Sequence, residues 1–141
     1  HGANGIDGTI SSALGVAHKG VATFLLSGDL AFLHDSSALL LLPQFVGSLT
    51  IVVINNRGGG IFEHLPVANQ PIDFERLFAT PQEIGISSLC KAHGLAHTLI
   101  EDWQSFGSEI GKTPLPGVRV LELCTDRKAD CGRHRRLVEP A

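Results

Sequence analysis

The chain has 141 residues, enough for one domain with an apolar core of its own and no need of disulfides or a structural metal. Apolar residues make up 43% and charged residues 18%, which excludes a disordered or collagen-like polymer. The net charge of −3 points to no class of partner, and the longest apolar run, Ala38–Leu42, falls far short of the ~20 residues of a membrane span.

The sequence contains no methionine and opens inside a Gly-rich polar stretch with the character of a βα loop, so it reads as a fragment lacking its upstream part. The N-terminal residues given show no signal-peptide pattern. The loop Gly5-Ile6-Asp7-Gly8 leads into a helix predicted from about Thr9 to His18, with Ile10, Ala13, Leu14 and Ala17 at helical spacing and Gly20 as its stop. Two apolar runs, Val21–Leu26 and Leu49–Ile54, have the composition of buried parallel strands. Between them Asp35 or Ser36 is placed to cap a helix through Ala38–Leu42, which Pro43 and Gly47 end.

Phe62–Thr80 is a long connection with only a short helical piece near Phe74–Phe78, and ordered connections of this length are often functional. A helix over Ser87–His93 stopped by Gly94, a strand over Ala96–Ile100, a capped helix over Asp102–Ile110 and a strand over Val118–Cys124 complete the pattern. Strands alternating with helices predict an α/β domain spanning 1–141: an open, doubly wound parallel sheet with helices on both faces.

The basic C-terminal residues Arg127, Lys128, Arg133, Arg135 and Arg136 are interrupted by Asp126, Asp130 and Glu139 and lack interleaved aromatics. They predict a solvated segment, not a nucleic-acid-binding arm. Cys90, Cys124 and Cys131 form no CxxC pair, so neither a disulfide framework nor a zinc site is expected, and a reducing compartment fits. Among the histidines only His93 and His97 have ligand-like spacing, and Gly94 between them breaks the helix such a pair would need. No GxSxG is present, which leaves hydrolase chemistry without support.

In an open parallel sheet, ligands gather outside the carboxyl ends of the strands, and here two strands end in Gly28-Asp29 and in Asn55-Asn56-Arg57-Gly58-Gly59-Gly60. Asp29 offers a hard anionic oxygen, Asn56 an amide oxygen and Gly58 a carbonyl, a set that suits Mg²⁺ shared with substrate phosphates. The glycines let backbone N–H groups approach phosphate oxygens, and a helix beginning after Asp29 directs its positive end at the same anion. Taken singly, each segment is also an ordinary turn former.

Gly28-Asp29-Leu30, with Asn56 following Asp29 at a spacing of 27 residues, is similar to the thiamine diphosphate (ThDP) motif that begins Gly-Asp and ends Asn-Asn. GIDGTISSALG (Gly5–Gly15), GDLAFLHD (Gly28–Asp35) and INNRGGGIFEHLP (Ile54–Pro66) together resemble the 2-succinyl-5-enolpyruvyl-6-hydroxy-3-cyclohexene-1-carboxylate (SEPHCHC) synthase family, MenD. FATP (Phe78–Pro81) and RVLELCTDRKAD (Arg119–Asp130) look most like cyanobacterial or plastid-lineage members.

The resemblance implies a ThDP- and Mg²⁺- or Mn²⁺-dependent carboligase that decarboxylates 2-oxoglutarate and adds the resulting succinyl semialdehyde unit to isochorismate, in menaquinone or phylloquinone biosynthesis. Asp29, Asn56 and the carbonyl of Gly58 would hold the metal, while Gly28 and Leu30 meet the diphosphate. Ile6 would prop the cofactor in its bent form, though a core residue beside a turn would occupy that position equally well. Ile61, Phe62 and Leu65 would line the isochorismate pocket, or on the residues alone anchor a loop. His1 stands where the family has a carboxylate-binding arginine, a replacement that would weaken the grip on substrate.

The activating glutamate of the family lies on a separate pyrimidine-binding domain of a neighbouring subunit, so a homo-oligomer is implied. No catalytic residue is then expected in this fragment, and the fragment alone should be inactive. A cytoplasmic or plastid-stromal location, without a membrane span, is expected. Two alternatives stay open: another ThDP carboligase or decarboxylase, such as an acetolactate synthase relative, or a non-catalytic phosphate-binding module.

Overall fold

In the computed structural model, which describes residues 5–112 and 114–138, four parallel strands form one sheet. They are β1 (Thr23–Gly28), β2 (Ser48–Asn55), β3 (Ala96–Ile100) and β4 (Gly117–Cys124), in the spatial order β1-β2-β4-β3. The helices are α1 (Thr9–Ala17), α2 (Asp29–His34), α3 (Ile86–Ala92), α4 (Trp103–Gly111) and α5 (Arg127–Val138). The fold is the α/β class expected from the alternation of elements.

Side-chain alternation on the central strand β2 divides the molecule into two layers. Leu49, Ile51 and Val53 face α1, α2 and α3, where Ile10, Leu14, Phe32, Ile86 and Cys90 complete the larger core. Val52 and Ile54 face the other way with Leu121 and Ile100 and meet Phe106 and Ile110 of α4. The chain moves outward from β2 to β3 through α3 on one face, then turns back to β4 through α4 on the other. A right-handed crossover whose direction reverses must change faces in this way. Phe32, Ile51, Val53, Val120 and Leu121 have no exposed surface.

Most elements lie within a residue or two of expectation, and Asp102 caps α4 by accepting from the Ser105 N–H at 2.7 Å, in a capping box. The segment after β1 departs from it. A short α2 starts at Asp29, and a 3-10 helix follows over Ser36–Gln44, running through Pro43 where a stop was expected. Asp35 does not cap that helix: its carboxylate accepts from the backbone N–H of Ser11 at 2.7 Å and from the Ser11 hydroxyl, tying α1 to the end of α2. A buried carboxylate takes the donors nearest to it, and here these come from a different helix.

The basic C-terminal segment is not merely solvated. Residues Arg127–Val138 form α5, whose inner side packs on the 3-10 turn Gly60–His64 through Cys131 and Arg127. None of the described helices is long and apolar enough to cross a membrane.

Candidate metal and diphosphate site

The register pairs Gly28 with Ile54 and Asn55 with Cys124, so β1, β2 and β4 end together and their turns share one corner. Asp29 is the first residue of α2, directly beyond β1, and is only 5% exposed. Its Oδ2 accepts from the Gly58 N–H at 2.7 Å and its Oδ1 from the Leu30 N–H at 2.9 Å. The two turns singled out in the sequence therefore meet at this carboxylate.

Burial pushes the Asp29 carboxyl above its ordinary range, against the pull of backbone hydrogen bonds from Gly58 and Leu30. Immediately past the end of β2, the Asn56 side-chain oxygen Oδ1 is buried and has no hydrogen-bond partner. Among the described residues the other such side-chain atom is the Ser48 hydroxyl, at the opposite end of β2. An orphaned buried acceptor is costly, and a bound cation is one way to satisfy it.

Gly58 holds the turn in a conformation that glycine tolerates, with φ at 128°. A Cβ there would lie 2.2 Å from the Ala79 carbonyl oxygen, and a Cβ on Gly60 would meet the Asn56 amide nitrogen at 2.4 Å. Gly59 donates to the same Ala79 carbonyl at 2.7 Å, so the turn is clasped against the end of the long connection. The Gly58 carbonyl accepts from the Gly60 N–H at 2.8 Å, which leaves its second lone pair for another partner.

Three residues absent from the expected set support this turn. Asn55 donates from Nδ2 to Glu122 Oε1 at 2.6 Å, and Glu122 is paired on its other oxygen with His97 Nε2 at 2.7 Å. Asn55 Oδ1 accepts from the Arg57 N–H at 3.2 Å, so the Glu122–His97 pair on β4 and β3 steadies the residue following Asn56. His97 thus works with Glu122 and not with His93, which ends α3. Asn55 was visible as half of Asn-Asn, whereas Glu122 and His97 lie in strands with no local signature of this pairing.

The expected pocket residues follow the metal turn directly, and the Phe62 N–H donates to the Gly59 carbonyl at 3.0 Å. Ile61 is exposed on the Gly60–His64 turn and Leu65 is exposed at its C-terminal cap, while Phe62 packs edge-to-face on Phe78 at 5.6 Å. Phe78 in turn stacks on Phe74 at 5.9 Å, so Phe62 anchors the loop. Ile6, in the loop before α1, is 42% exposed and so is not a core residue of the described fold. His1 lies outside the described residues.

Among the described residues no three His, Cys, Asp or Glu side chains cluster into a metal cage. One carboxylate, one orphaned amide oxygen and one main-chain carbonyl are instead the mixed oxygen set that Mg²⁺ takes together with phosphate and water. The positive end of α2 faces the same corner. These residues fit a divalent cation carrying a diphosphate.

Comparison with known proteins bears on the fold and on the family. The fold is that of a domain of benzoylformate decarboxylase from Polynucleobacter necessarius, with a TM-score of 0.57 over 75% of this chain and 20% of that one at 16% identity. That likeness defines the class by its fold: a parallel α/β domain. No family model matches the chain.

By sequence the chain is 52% identical over 126 residues to the SEPHCHC synthase of Thermosynechococcus vestitus and 53% identical over 129 residues to that of Trichodesmium erythraeum. The alignments cover 89% and 92% of this chain. The chain spans about a fifth of the length of these relatives, 22% in each case. Over that segment it belongs to the SEPHCHC synthase family.

Proposed function

We propose that this chain supplies the metal and diphosphate site of a ThDP-dependent SEPHCHC synthase. The whole enzyme would decarboxylate 2-oxoglutarate and add the succinyl semialdehyde unit to isochorismate, forming the product that the relatives' name gives. The observation that carries the reading is the orphaned Oδ1 of Asn56 in the turn whose Gly58 N–H donates to the buried carboxylate of Asp29.

Asp29 and Asn56 would hold Mg²⁺ or Mn²⁺ with the carbonyl of Gly58, and Gly28 and Leu30 would flank the diphosphate. ThDP, when bound, would supply the electron sink that allows a 2-oxo acid to lose carbon dioxide. The part of this chain is to bind and orient that group. Ile6, exposed at the mouth of α1, is free to press against the cofactor. Ile61 and Leu65 offer an exposed apolar wall for the ring of isochorismate, with Phe62 fixing the turn that presents them.

No described residue is assigned as the activating acid; a second subunit of a homo-oligomer would provide it, in the cytoplasm or the plastid stroma. The test is turnover of isochorismate with 2-oxoglutarate, ThDP and Mg²⁺ by the full-length protein, by this chain alone and by full-length Asp29→Asn. Only the unaltered full-length protein should form product. Acceptance of pyruvate instead, with isochorismate ignored, would make it a different carboligase.

A further inference from the structure

We propose that Arg127 is a positioning residue that locks the metal turn and the Ile61–Leu65 loop into one unit. The naming of those two segments rests on the function proposed above; the lock itself rests on geometry. Arg127 is the first residue of α5, an unfavourable place for a cation against the helix dipole. The helix is capped without it, because Asp126 Oδ1 accepts from the Ala129 N–H at 2.7 Å. A residue that breaks the local rule and is nevertheless 12% exposed has its role elsewhere in the fold.

That role is a three-point grip. Nε donates to Glu63 Oε1 at 2.9 Å, Nη1 donates to the Arg57 carbonyl at 3.0 Å, and Nη2 pairs with the Glu75 carboxylate. Arg57 sits between Asn56 and Gly58, Glu63 between Phe62 and Leu65, and Glu75 opens the single turn that leads to Ala79. One planar fork therefore joins the start, middle and end of the connection that carries both segments.

Arg57 itself has φ at 59°, in the left-handed region that a side chain of its kind seldom occupies. Such a residue persists only where its surroundings over-determine it. Asn55 holds its N–H and Arg127 holds its carbonyl. Gly60 makes room for the grip, since a Cβ there would stand 3.2 Å from Arg127 Cβ.

The test compares full-length wild type, Arg127→Met, Arg127→Lys and, as a surface control, Arg133→Gln. Amide hydrogen exchange without metal or cofactor should speed up roughly tenfold or more over residues 56–80 in both Arg127 variants, with β1 and β2 unchanged. The Mg²⁺ concentration for half-saturation with ThDP and the KM for isochorismate should both rise, roughly ten- to a hundredfold, with a smaller fall in kcat. Lysine should fail to rescue, because it cannot span three acceptors.

Unchanged exchange over 56–80, exchange that rises equally in the strands, or faster loop exchange with unaltered KM and Mg²⁺ requirement would each overturn the proposal. If wild type bound neither Mg²⁺ with ThDP nor isochorismate, the assigned function would fail, and the exchange data would still decide whether Arg127 locks the loop.

Discussion

Burial raises the Asp29 carboxyl above its ordinary value of 3.8, while the N–H groups of Gly58 and Leu30 pull it down, and burial wins. The folded chain therefore binds this proton more tightly than the unfolded chain. Its stabilising contribution is complete below pH 3.8 and is lost as the pH rises through the raised folded value. Denaturant unfolding of metal-free wild type and Asp29→Asn across about pH 3 to 7 should show wild type losing stability relative to the variant as the pH rises. A pH-independent difference would mean that the carboxyl is unperturbed. A divalent cation requires the ionised carboxylate, so acid should also expel it at a higher pH than from an ordinary aspartate.

At the scale of elements, the turn after β2 is specified twice, by what its glycines lack and by what its neighbours grip. Gly58→Ala would drive a Cβ into the Ala79 carbonyl at a φ that alanine disfavours. We expect a loss of about 1–3 kcal/mol in stability, read from the denaturation midpoint, together with loss of metal binding. Full retention of both would show that the turn can relax without consequence. This turn could be read from the sequence because Gly-Asp and Asn-Asn end two apolar runs, and strand-end turns carry their chemistry locally.

The grip from α5 could not be read in the same way. Arg127 pairs with Glu63 and Glu75 across more than fifty residues, and such pairs leave no period in the sequence. Asp35 misled for a related reason: a capping position was correct by local rule, but Ser11 of α1 offered it better donors. The one local trace of the grip was a cation at the start of a helix already capped by Asp126.

For the whole molecule, two cores of unequal size on opposite faces of one sheet hold the carboxyl-edge turns in register. The strands were recognisable because doubly covered parallel strands are near-continuous apolar runs. The faces follow from the reversal between β3 and β4, which is a consequence of handedness and not of any single residue. The chain matches about a fifth of the length of its relatives.

The central claim is that the Asp29–Asn56–Gly58 corner holds a divalent cation with a diphosphate. Calorimetric titration of ThDP into the full-length protein, with Mg²⁺ and with EDTA, for wild type beside Asp29→Asn, tests it most directly. The account predicts heat of binding for wild type with Mg²⁺ and its loss both in EDTA and in the variant. Equal affinity of a folded Asp29→Asn protein for ThDP would contradict it.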